Sequence, residues 1–263
     1  MKIQADRRRS FVRAVLTLIA AGLVYQGVSL SGLFPQVLLP TIPTIFDRLV
    51  IMLGDGTMLQ NAGATLYRVL VGFGLAIVVG LPLGILMARF KPVEHFFLPL
   101  ISALMPIPSF SLVPLFMLWF GIGNLTTILI VFYASTFPMV FNTWSGVRSV
   151  NPLWLRAAGA MGADERRLFW KVIIPGASPF IITGVRQAFL RSWIAVVGAE
   201  MIAASNYGLG WEIFNAEQFL QTDIMMASIV VIGIIGFVFE RLVFGSIEKA
   251  TVHRWGMVRV AKG

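Results

Sequence analysis

Six stretches of this chain are long and apolar enough to cross a lipid bilayer, and that constrains its fold more than any other feature. A helix rises 1.5 Å per residue, so about 20 apolar residues cover about 30 Å of hydrocarbon. The stretches are roughly 14–34, 66–88, 96–120, 125–144, 177–204 and 224–247. Of the 263 residues, 57% are hydrophobic and only 13% charged, against about a quarter charged in soluble domains. One water-soluble core cannot hide that excess, and lipid can. No segment reads as a soluble domain able to fold apart. The expectation is an all-α membrane protein of six transmembrane helices, a single domain over residues 1–263.

The basic residues order the loops. With the N-terminus inside, the inner segments hold Lys2, Arg7, Arg8, Arg9 and Arg13; Arg89 and Lys91; Arg148, Arg156, Arg166, Arg167 and Lys171; and Arg241, Lys249, Arg254, Arg259 and Lys262. Seventeen of the 21 Lys and Arg lie there, and the outer loops hold only Arg48. The split follows the positive-inside rule, places both termini in the cytoplasm and needs an even number of spans. The apolar run after Arg7-Arg8-Arg9 is too long for a signal peptide and lacks a small-x-small cleavage site, so it reads as an uncleaved first span. The basic balance of +9 belongs to this loop asymmetry and not to nucleic acid, since no long soluble basic face exists.

Several chemistries are excluded. There are no cysteines, hence no disulfide and no thiolate metal site or nucleophile. His95 and His253 are the only histidines and lie far apart, which removes a metal cluster or a Ser-His-Asp set. No GxxxxGK[ST] phosphate loop is present, so the chain itself is not expected to hydrolyse ATP, and no cofactor is expected.

The most informative segment is the inner loop 147–175. Asn151 can cap a helix, and Pro152 suits its first turn. Leu153, Trp154, Ala157, Ala158 and Met161 then recur at helical spacing, and Gly162 is a natural stop. Asp164 can cap a second helix that Pro175 is expected to end. Ala157 and Ala158 allow close approach, with Leu153 and Met161 as anchors, which suits a groove in a partner. The same pattern also suits an amphipathic helix lying on lipid.

Ala157-Ala158-x-x-x-Gly162-Ala163, followed by Phe169, Ile173 and Pro175, resembles the conserved cytoplasmic loop of binding-protein-dependent ABC importer permeases. In that family the loop supplies the coupling helix seated in a cleft of the ATPase. Arg156 stands where the motif has Glu, which leaves the turn and the apolar packing intact. The resemblance extends to Thr65-x-x-Arg68-Val69-x-x-Gly72-Phe73, to Pro106-Ile107-Pro108 with Pro114 through Gly123, to Gly146-Val147-Arg148, and to Ala199-Glu200-Met201-Ile202 followed by Gly208-Leu209-Gly210. Together these are similar to the taurine, alkanesulfonate and nitrate branch. The resemblance implies two copies of a cytoplasmic ATPase subunit, an extracytoplasmic solute-binding protein, a second permease copy and a small anionic solute. It makes Leu153, Arg156, Ala157, Ala158, Met161, Gly162 and Ala163 the ATPase-coupling residues. The alternative, a self-sufficient secondary transporter or channel, would want buried carboxylates, and Glu200 alone lies well inside a span.

Charges at membrane depth are candidates for function. Arg191 and Glu200 are nine residues apart, half a turn out of phase, and Arg186 and Glu200 are about 21 Å apart along one helix. Each therefore needs a partner elsewhere. Arg191, the deepest, either lends positive potential to an anion pathway or ties its helix to a neighbour. Glu200 reads as a gate-side or structural contact. Four prolines between Pro99 and Pro114 must break or kink the third span, so Ser109 and Ser111 in the break either face solute or bond back to freed carbonyls.

Overall fold

The computed structural model describes residues 2–204 and 206–246, with side chains described at Arg13 and from Leu16 onward. Lys249, His253, Arg254, Arg259 and Lys262 lie outside the described residues, as do the side chains of Lys2, Arg7, Arg8 and Arg9 and the last residue of the sixth stretch. Every regular element among the described residues is helical. In order these are α1 (Lys2–Leu30), α2 (Ile42–Gly54), α3 (Thr57–Arg89), α4 (Lys91–Leu104), a 3-10 turn (Ser109–Leu112), α5 (Val113–Phe120), α6 (Asn124–Arg148), α7 (Pro152–Ala160), α8 (Glu165–Leu168), a π-turn (Phe169–Ile173), α9 (Ile174–Ala203), α10 (Leu209–Gln218), α11 (Thr222–Val238) and a second π-turn (Phe239–Phe244).

Four continuous helical segments have the length and composition to cross a bilayer: Thr57–Arg89, Asn124–Arg148, Glu165–Ala203 and Thr222–Phe244. The third expected span is broken as its prolines require, with 89° between Lys91–Leu104 and Ser109–Phe120. Pro106 and Pro108 lie in the break, whereas Pro99 stays inside α4 and Pro114 takes the first turn of α5, where its missing N–H costs nothing. Helix α1 ends at Leu30, before the expected end of the first stretch near residue 34, because the chain turns out of helix at Ser31 and Gly32 adopts φ 74°. Pro175 does not end the loop's second helix. The π-turn Phe169–Ile173 places Pro175 in the first turn of α9, and helix continues from Glu165 to Ala203. The expected outer loops also hold helix: α2 and the start of α3 in one, α10 in the other.

Three helices form the centre, and glycines set their spacing. A Cβ added at Gly72, Gly80 or Gly84 of α3 would stand 2.7–2.8 Å from Val131, Met139 or Thr143 of α6. Rising numbers on both sides make α3 and α6 parallel. Gly146 of α6 meets Phe180, and Gly184 of α9 meets Asn142, so α9 runs antiparallel to both. Without a hydrophobic driving force in lipid, such close approach supplies the packing energy. Ser135, Thr136 and Ser192 donate to carbonyls one turn back, which hides their hydroxyls. The bundle thus has a basic end, where α3 and α6 finish at Arg89 and Arg148 and α7 and α8 lie. At the far end the Gly123 N–H donates to the Ala203 carbonyl at 2.8 Å.

Candidate functional site

At the basic end the local sequence builds a rigid turn. Asn151 Oδ1 accepts from the Leu153 N–H at 2.9 Å and opens α7. At the other end, the Ala163 N–H donates to the Ala158 carbonyl and the Gly162 N–H to the Gly159 carbonyl. This paired closure needs a left-handed residue between them, and Gly162 supplies it at φ 77°. Asp164 Oδ1 then accepts from the Arg167 N–H at 2.7 Å and opens α8.

One face of α7 stands off the bundle. Leu153 is 63% exposed and Met161 82%, with Arg156 and Ala157 exposed between them. Ala158 faces the other way and is buried, and Ala163 is half-buried. The expected coupling residues therefore divide: Leu153, Arg156, Ala157 and Met161 form the outward face, while Ala158, Gly162 and Ala163 hold the turn. The segment is also tied to the bundle. Glu165 of α8 meets Arg89 of α3 at 3.2 Å, and that guanidinium lies 5.5 Å over the Phe169 ring. Arg148 closing α6 pairs with Glu94 of α4.

The expected pathway residues separate into two places. Ser109 and Arg191 come together, lining a cavity of about 230 Å³ between the α4–α5 break, α6 and α9. Ser111 does not join them. Its hydroxyl donates back to the Pro108 carbonyl at 2.6 Å, while Tyr133 Oη satisfies the Leu104 carbonyl at 2.7 Å. The break's freed backbone is thus largely satisfied from within.

Glu200 lies at the far end, fully buried, in a network whose other members the sequence did not assign to it. Arg68 of α3 donates from Nη1 to Glu200 Oε1 at 2.7 Å and to the Tyr207 carbonyl at 2.6 Å, and from Nε to Asn124 Oδ1 at 2.8 Å. Glu200 Oε2 accepts from Thr65 Oγ1 at 2.9 Å and from the Gly210 N–H at 3.0 Å. Thr65 Oγ1 in turn accepts from the Leu209 N–H at 2.9 Å. Asn61 accepts from the Gly208 N–H and donates to Glu212 at 2.8 Å. Each charge therefore meets several partners, which a buried pair needs to offset desolvation. The network ties α3, α6, α9 and α10 together. Expected topology already put Arg68 and Glu200 in the outer halves of their spans, and that shared depth was the available signal. Arg186 pairs with Glu240, so neither Arg191 nor Arg186 is the partner of Glu200.

Residues 80–249 match the family described as binding-protein-dependent transport system inner membrane component. The chain is 39% identical to a putative ABC transporter permease protein of Methanocaldococcus jannaschii, over 78% of each chain. It is 34% identical to the taurine transport system permease protein TauC of Escherichia coli, over 88% of this chain and 86% of that one. It is 30% identical to the bicarbonate transport system permease protein CmpB of Synechococcus elongatus, over 73% and 67% respectively. Among solved structures, a chain of the inward-facing MetNI methionine ABC transporter shares the fold at a TM-score of 0.61 and 16% identity, covering 80% of this chain and 99% of that one. With all-helical spans, a bent third segment and a match across most of its length, this chain belongs to the binding-protein-dependent transport system inner membrane component family.

Proposed function

We propose that this chain is the membrane-spanning subunit of an ATP-driven importer for a small anionic solute. It sits in the bacterial plasma (inner) membrane as a multi-pass protein with both termini cytoplasmic. The carrying observation is the outward face of α7, held by a closed turn and joined through Glu165 and Arg89 to the core helix α3. A self-sufficient transporter has no use for such a handle, and family membership favours the importer. The chain is a transport component, and ATP is hydrolysed on a separate cytoplasmic subunit, present in two copies.

In this reading the ATPase dimer closes on ATP and shifts α7. The Glu165–Arg89 and Arg148–Glu94 links carry the displacement into α3, α4 and α6, and the core rocks toward the outside. Phosphate release restores the inward state. A second permease copy completes the pathway, and an extracytoplasmic binding protein delivers solute to the far end. The taurine and bicarbonate names of relatives support an anion.

Co-purification tests the proposal. The solubilised chain should retain an ATPase subunit whose hydrolysis rises on reconstitution, and Gly162→Leu should abolish retention while the permease stays monodisperse. Solute uptake by liposomes holding this chain alone would instead favour the self-sufficient transporter.

A further inference from the structure

The cavity in the α4–α5 break is shaped for one kind of anion, an inference that rests on the importer reading. Arg191 lies 17 positions from Ile174 and 12 from Ala203, so it stands roughly 25 Å and 18 Å from the ends of α9. A lipid phosphate at the membrane surface is out of reach at that depth. Among the described residues no carboxylate lies within ion-pair distance of Arg191. Glu200, Glu240, Glu94, Glu165 and Asp223 are each engaged by another arginine. A guanidinium at such depth calls for a counter-charge. The cavity it faces is otherwise apolar, with Ile107, Phe110, Phe137 and Ile194 in the wall. The polar lining beside Arg191 is Ser109, which makes no hydrogen bond among the described residues, and Tyr133, whose hydroxyl is committed to Leu104.

We propose that this cavity is a solute-contact site selective for organic monoanions, a sulfonate or carboxylate on a compact alkyl or aromatic body, with Arg191 as the specificity-determining residue. Each permease copy carries its own cavity with one guanidinium, which matches one negative charge, and Ser109 donates to a further oxygen. The volume of about 230 Å³ gives room for a compact organic anion. An inorganic oxyanion leaves the aromatic wall uncovered. A zwitterion places its ammonium in a site with a cation and no carboxylate, so amino-sulfonates are disfavoured against their amine-free analogues.

The absence of cysteine makes a clean test available. Single Ser109→Cys and Ile194→Cys variants of the full permease–ATPase complex are labelled with 2-sulfonatoethyl and with 2-(trimethylammonium)ethyl methanethiosulfonate. Each rate is divided by that reagent's rate with free cysteine, so any effect of Arg191 on thiolate reactivity cancels in the ratio. The anionic reagent should win by at least about fivefold, the effect of one charge near 4 Å even in bulk water. Arg191→Gln should bring the ratio to about one and Arg191→Lys should keep it. Benzenesulfonate should protect both cysteines better than nitrate or taurine does. Equal labelling by the two reagents with Arg191 present, or equal protection by nitrate, overturns the site. Neither outcome touches the importer reading, which fails separately if no ATPase is retained.

Discussion

At the scale of single residues, the buried pair of Arg68 and Glu200 carries the largest stakes. Removing one partner leaves the other charged and desolvated. Arg68→Met or Glu200→Gln should therefore cost about 3–5 kcal/mol and lower the thermal unfolding midpoint in detergent. The double variant Arg68→Met with Glu200→Leu should lose less than either single change, because no orphan charge remains. Gly208 is hemmed in by the same network. A Cβ there would stand 2.6 Å from Glu200 Cδ and 2.7 Å from Arg68 Nη1, at φ 144°. Gly208→Ala should thus destabilise the protein through this network, while Gly162→Ala, with open space around it, carries only the left-handed penalty of about 1 kcal/mol. Thermal melts of the two variants side by side check this difference. The glycines of the two motifs were visible in the sequence, but their separate reasons, crowding at one and backbone hand at the other, were not.

At the scale of elements, α3 and α6 move as a unit if they move at all. Gly80→Leu should force them apart and cost about 1–3 kcal/mol, seen as a lower melting midpoint and reduced yield of folded protein. Gly74→Leu on the open side of α3, where nothing lies within 4 Å, should leave both unchanged. Most helices were legible because apolar length and proline placement are local properties of the chain. The break at Pro106 and Pro108 and the turn at Gly162 followed directly from backbone chemistry. The continuation through Pro175 did not, because a π-turn two residues earlier depends on how α7 and α8 pack, not on propensity. The pairing of Ser109 with Arg191 was equally hidden. It needs the crossing of a broken helix over α9, a tertiary fact that spacing cannot encode.

At the scale of the whole molecule, two distant places answer to one frame. The handle lies at the basic end and the Arg68–Glu200 network at the far end, with α3 contributing to both through Arg89 and Arg68. A rigid α3 transmits displacement from one end to the other, whereas a soft one dissipates it. Weakening the basic-end link should therefore uncouple the ends without unfolding the chain. Arg89→Ala removes an exposed pair worth at most about 1 kcal/mol and the ring contact with Phe169, so stability should barely change. Uptake by the reconstituted complex should nonetheless fall relative to its ATP hydrolysis, read as a lower ratio of solute moved to ATP consumed.

The central claim is that α7 is gripped by a separate ATPase, and cross-linking from its outward face tests this most directly. A cysteine introduced at Ala157 in the otherwise cysteine-free chain should cross-link to the ATPase subunit of the assembled complex. The yield should change between nucleotide-free and ATP-bound states, and a cysteine at buried Ala158 should cross-link far less. A residue-157 thiol that reacts only with lipid-soluble reagents, and never with the ATPase under turnover, would contradict the claim.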